Sequence, residues 1–208
     1  MKNNLHIAKS FKTVLAAACI LFLQAVPTTV FGNEPAFDKG SKTIGLSVGF
    51  GVSYSYYGSY SSSPALALTY DHGIVGEVGP GTIGIGGIVG YKSASYKYGY
   101  GDYKATWTNI IVGVRGTYHL TILKDKNNKF DPYAGVTVGL RFNSYKDTYY
   151  DYYYATYGYH YSSYNYSSTS IVSGLFIGAK YNFSPNIGAF AEVGYDISLA
   201  RIGINFNF

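Results

Sequence analysis

From residue 44 to the end, the chain alternates apolar with small or polar residues. Ile44, Leu46, Val48, Phe50, Val52 and Tyr54 are separated by Gly45, Ser47, Gly49, Gly51 and Ser53. The same period of two returns in seven further segments, 64–72, 82–95, 105–120, 132–146, 170–183, 186–197 and 199–208. Such alternation marks half-buried β-strands, and no stretch after the N-terminal leader shows a helical period. Ile88 interrupts the third segment, where Gly and Lys otherwise hold the polar face. Eight strands can close into a ring and leave no unpaired edge. The pattern therefore predicts an all-β fold, an eight-stranded antiparallel up-and-down β-barrel.

The polar face settles which side of this barrel is outside. It consists of Gly, Ser, Thr and Asn with about one charge per strand, too few for a water-facing surface. It suits the interior of a narrow barrel, and the apolar face then meets lipid. By parity Lys92, Arg115, Arg141, Lys180, Glu192 and Arg201 all fall inside. A cation facing lipid at mid-bilayer would cost about 2–4 kcal/mol, and a tilted spanning strand needs about 9–11 residues. The reading is a transmembrane barrel rather than a soluble one.

The N-terminus agrees with export. Lys2, Lys9 and Lys12 precede an apolar run from Val14 to Val26, then Pro27 and Val30-Phe31-Gly32. This is the three-part pattern of a cleaved signal peptide, and the run is too short for a good spanning helix. Residues 1–32 are assigned to the leader, with Ala25 the weaker cut, and 33–208 to the barrel domain. The one Cys, Cys19, lies inside the apolar run, so the mature chain has no disulfide framework. Losing three Lys takes 16 basic residues to 13 against 11 acids, a mature net charge of +2. No basic block or zinc spacing points to nucleic acid, and no cofactor is expected.

With both ends on the periplasmic side, connections near 56–63, 96–104, 147–169 and 197–199 face outward, and those near 72–81, 121–130 and 184–186 face inward. Twenty of the 25 Tyr then sit at or beyond the outer rim. Residues 149–168, YYDYYYATYGYHYSSYNYSS, are half Tyr and read as the tip and arms of one outer hairpin. Tyr spaced by Ser and Gly is the chemistry of adaptable recognition surfaces. Tyr150, Tyr152, Tyr154, Tyr157, Tyr159, Tyr161, Tyr164 and Tyr166 are the candidate recognition residues. The alternative is an extended aromatic girdle with a low-complexity loop. Tyr70, Tyr118 and Tyr181 end the strands that run inward, as an interfacial belt would.

The chain resembles the small bacterial outer-membrane β-barrel proteins, the eight-stranded OmpA/OmpX-like class, over residues 41–208. The resemblance is carried by the ending LARIGINFNF, with Phe208 preceded by Phe206, Ile204, Ile202 and Ala200 at alternate positions, and by FDPYAGVTVGL at 130–140 and IGAFAEVGY at 187–195. It implies outer-membrane lipids and the barrel-assembly machinery as partners, with Phe206 and Phe208 as the assembly signal. The Tyr load and the ten-residue turn at 121–130 are unusual for it.

Other chemistry is weak. An eight-stranded barrel has room inside for side chains only, so the inner charges read as a packed network around Glu192, partnered by Arg115, Arg141 or Lys180, rather than a conduit. His72, His119 and His160 form no local pattern with Ser and an acid; they read as solvated or interfacial imidazoles, not as a lipid-modifying site. Gly49-Phe50-Gly51 and Gly84-Ile85-Gly86 lack the following helix that a phosphate loop requires. KDKNNK at 124–129 reads as a solvated turn. The resulting expectation is a non-enzymatic outer-membrane barrel displaying Tyr-rich loops for surface recognition or adhesion, with a structural barrel as the alternative.

Overall fold

The computed structural model describes residues 36–51, 61–97, 104–121, 129–150 and 161–208. The leader 1–32, Tyr152, Tyr154, Tyr157, Tyr159 and His160 lie outside the described residues, as do most of KDKNNK and the side chains of Tyr150 and Tyr161. The strands are β1 (Lys42–Phe50), β2 (Ser61–Ser62), β3 (Ala65–Val78), β4 (Gly81–Lys97), β5 (Lys104–Leu120), β6 (Phe130–Tyr150), β7 (Tyr161–Asn182), β8 (Ile187–Gly194) and β9 (Ala200–Asn207). Sequential neighbours pair antiparallel from β3 to β9, β1 pairs with both β3 and β9, and the ring closes. The two-residue β2 lies on the far end of β4 as an addition to the ring of eight.

Alternation places the side chains as lipid requires. Thr43, Gly45, Ser47 and Gly49 are buried inward while Leu46, Val48 and Phe50 are exposed outward. Around the wall Val112, Val114, Val136, Val138, Val193 and Ile202 are also exposed, and Ile171 and Leu175 reach 80% and 70%. Arg115 and Arg201 are instead fully enclosed. An inside-out distribution of this kind is stable only where the outer solvent is hydrocarbon. The fold is an eight-stranded transmembrane β-barrel.

The lumen is filled rather than open. Tyr133, Phe176 and Phe190 are buried inside it, and each lies directly across from a glycine: Tyr133 from Gly178, Phe176 from Gly135, Phe190 from Gly203. The fit is close. A Cβ on Gly135 would come within 2.4 Å of the Phe176 ring and 2.5 Å of the Gly116 carbonyl oxygen. Ile88 is the reason the third segment loses its alternation. It points inward and packs with Ala65, Ala67, Ile111, Val172 and Ile197 in an apolar layer across the lumen.

Three connections differ from expectation. The connection predicted over 72–81 is a tight turn at Gly79-Pro80, because β3 continues through two irregularities to Val78; Gly79 takes φ +58°, which favours glycine. Within 147–169 the described residues, 147–150 and 161–169, are hairpin arms continuous with the wall strands, with β6 and β7 paired as far as Tyr150 opposite Tyr161. The last connection is longer than 197–199. β8 ends at Gly194, and residues 195–199 fold back with Asp196, Ile197 and Ser198 buried. Gly49 and Gly90 leave the space that Ser198 and Ile197 fill.

The ends of the barrel are unequal. We call the end carrying residues 36–42 the base and the other the crown. At the crown β8, β9 and β1 stop low, whereas β4 to β7 continue well past them. The 21 residues of β6 and 22 of β7 exceed the span of a bilayer about twofold. A four-stranded half-wall therefore stands above one side of the rim.

Filling the glycine notches should cost stability. Gly135→Leu drives a side chain into the Phe176 ring and is expected to lower the unfolding free energy by about 1–3 kcal/mol. Gly116→Ala, which meets only Val136 at 3.7 Å, should be neutral. Urea unfolding in detergent micelles, followed by heat-modifiable gel mobility, measures both; equal stability of the two variants would contradict this packing.

Candidate functional site

The charged interior is ordered by strand register. Across neighbouring strands His119 faces Tyr133, Tyr133 faces Gly178, Gly178 faces Glu192, and Glu192 faces Arg201. Parity turns all of them inward. The Glu192 carboxylate accepts hydrogen bonds from Arg115 Nη2 at 2.6 Å and Tyr133 Oη at 2.8 Å on one oxygen. Arg201 Nη2 donates to its other oxygen and to Asp196 Oδ2 at 3.0 Å. The Arg115 guanidinium also lies 4.0 Å from the centroid of the Phe176 ring. Charges enclosed this deeply persist only when paired and hydrogen-bonded.

A second cluster lies nearer the base. His119 Nδ1 stands 2.8 and 2.9 Å from the two oxygens of Asp131, the geometry of an N–H donated to a carboxylate. Lys180 Nζ is 3.5 Å from Asp71 and 3.9 Å from Asp131. Phe37 closes this layer. Its ring stacks on His119 at 3.7 Å and lies 4.9 Å from Lys180 Nζ. The segment that carries Phe37 is pinned by Gly40 N–H to the Gly73 carbonyl, by Gly73 N–H to the Ser41 carbonyl and by Thr82 Oγ1 to Asp38.

These contacts give Glu192 the partner Arg115 from the three cations considered, and they correct the reading of His119. Lys180 is partnered by Asp71 and Asp131 rather than Glu192, and Arg141 is half-buried higher on β6, away from the Glu192 oxygens. His119 is neither solvated nor interfacial; it is sealed inside the barrel beneath Phe37. His72 is half-buried, with Nδ1 3.2 Å from the Ser41 carbonyl oxygen. Lys92 lies toward the crown and its Nζ donates to the carbonyl of Gly51, a residue with φ +82°. Phe206 is exposed on the lipid face opposite Ile44 and Ile187, and Phe208 is half-exposed. The sequence reading did not single out Asp71, Asp131, Asp196, Tyr133 or Phe37. Parity alone would have turned the first two and Tyr133 inward.

The crown holds the remaining site. Tyr164 and Tyr166 are 57% and 55% exposed on β7. Both share the inner parity of β7 with Val172 and Phe176, so they face the concave side of the half-wall. Trp107 and Tyr145 join them there: the Trp107 and Tyr145 rings are 5.1 Å apart, and Tyr145 meets Tyr164 edge-on at 6.5 Å. Tyr145 Oη donates to Asp147 at 2.8 Å.

No protein-family model matches the chain, and no curated protein matches it. Among solved structures it is similar to Ail, the attachment invasion locus protein of Yersinia pestis, determined in complex with the heparin analogue sucrose octasulfate (13% identity, 82% of this chain and 99% of that one, TM-score 0.46). It is also similar to the N-terminal β-barrel domain of Pseudomonas aeruginosa OprF (14% identity, 83% and 100%, TM-score 0.38) and to Neisserial surface protein A (16% identity, 81% and 95%, TM-score 0.33). The barrel assignment itself rests on the closed strand pairing.

Removing the central carboxylate should be costly because it takes from buried Arg115 its carboxylate partner and leaves Arg201 with Asp196 alone. Glu192→Gln is expected to lower stability by about 3–5 kcal/mol. Replacing Arg115 and Glu192 together by Met should recover a large part of the loss. Urea midpoints in micelles read both effects; a Glu192→Gln protein as stable as the parent would show that the pairs do not hold the lumen.

Proposed function

We propose that this is a non-enzymatic outer-membrane protein that recognises partners outside the cell with its tall crown. The base then faces the periplasm and the half-wall of β4 to β7 stands in the medium. The observation that carries this reading is the inner face of the half-wall, where Tyr164 and Tyr166 stay more than half exposed although the barrel below buries its aromatics tightly. Exposed, rigid rings with a polar tip are the side chains that recognition surfaces favour. The Tyr-rich segment 151–160 lies in sequence between the ends of β6 and β7. The filled lumen argues against a solute conduit, and His119, closed off by Phe37, is badly placed for a lipid-modifying reaction.

Replacing residues 151–160 by a short Gly-Asn turn tests the reading. Cell adhesion to host-type surfaces should fall by about tenfold or more while heat-modifiable mobility shows an intact barrel. Unchanged adhesion with an intact barrel would favour the structural alternative, a barrel that only maintains the membrane.

A further inference from the structure

The concave face of the half-wall is a built cleft. A cavity of about 650 Å³ lies against β5, β6 and β7, within the range of small-ligand sites. Every residue lining it carries an aromatic ring, a hydroxyl or an amide, and none is charged. Register arranges these groups in tiers. Trp107, Tyr145 and Tyr166 are direct neighbours across the three strands, and so are Asn109, Asn143 and Ser168 in the tier beneath. Asn143 Nδ2 reaches Ser168 Oγ at 3.4 Å, and with buried Asn109 beside them these amides and this hydroxyl form the lower tier. Tyr164 overhangs from the tier above, edge-on to Tyr145.

We propose that this cleft binds a neutral saccharide, a deepening of the recognition reading above on which it rests. A sugar ring has an apolar C–H face and a rim of hydroxyls that both donate and accept. The aromatic tier supplies flat apolar faces, and the floor supplies amides and hydroxyls with the same dual capacity. An apolar peptide would leave the amide floor unpaired on burial, which is costly. A sulfated or phosphorylated ligand would find no cation among the lining residues. Trp107 is the chain's one tryptophan, so its emission reports on this site alone.

The test uses the full mature protein in lipid nanodiscs. Neutral oligosaccharides of the hexose and N-acetylhexosamine series form one arm. Core oligosaccharide released from lipopolysaccharide forms the other, so host and resident sources are told apart. Saturable binding in either arm is expected, with a shift in Trp107 emission. Tyr166→Ser, at an exposed position, should weaken it at least about tenfold, Trp107→Phe should retain most of it, and the 151–160 replacement should leave it intact because the cleft is formed by the strands. No binding in either arm, binding restricted to sulfated sugars, or binding unaffected by Tyr166→Ser would overturn the proposal. Adherent cells whose protein binds no saccharide would sink this proposal and leave the recognition reading standing. Saccharide binding by protein from cells that do not adhere would do the reverse.

Discussion

Glu192 lies between Arg115 and Arg201 in the interior of a barrel whose outside is hydrocarbon-like, and the rest of the molecule follows from keeping those charges there. A carboxylate and two guanidinium groups cannot face lipid, so the strands that carry them must present the opposite parity outward. That fixes Val112, Val114, Val193 and Ile202 on the exterior. A one-residue slip in any strand would exchange the two faces, so the register is held by charge as strongly as by apolar pattern. Tyr133 adds a hydrogen bond to the same carboxylate from two strands away, across Gly178, and Asp196 brings the last connection down onto Arg201. The charged centre thus also explains why residues 195–199 fold inward as a floor under the crown.

Space inside so narrow a ring is the second constraint. Its aromatics are accommodated because each faces a glycine on the next strand. The glycine content of the chain is therefore structural, and the same economy closes both ends. Phe37 seals the base against His119 and Lys180, while Ile197 seals the crown side against Ile88 and Ile111. With the lumen packed, what distinguishes this chain is confined to the half-wall, where the strands outrun the membrane and carry aromatics that nothing below them buries.

Alternation made the ring of eight legible in the sequence, because a period of two runs through most of each strand and the inner charges obey it. What alternation could not give was pairing across the lumen. Lys180 and Glu192 share a face, yet strand stagger brings Lys180 to Asp71 and Asp131, and no single-strand pattern encodes stagger. Ile88 read as an error in the pattern and is in fact a core residue, because the lumen needs an apolar layer beneath Ile197. His119 read as solvated because its partner Asp131 lies on the next strand, beyond the 121–130 turn. At the crown the Tyr count drew attention to residues 151–160, whereas the cleft rests on Trp107, Asn109, Asn143 and Ser168. Those residues are ordinary in composition and become a site only when three strands align them.

Recognition at the crown requires that this end of the barrel face the medium. Because Cys19 is the chain's one cysteine, single cysteines introduced into a Cys19→Ser background report topology without interference. Tyr164→Cys at the crown and Lys129→Cys at the base, both at exposed positions, can be challenged on intact cells with a membrane-impermeant maleimide. Labelling at 164 without permeabilisation, and at 129 only after the outer membrane is opened, is the predicted result. Labelling at 129 but not at 164 on intact cells, or recovery of the protein in the soluble fraction, would contradict it.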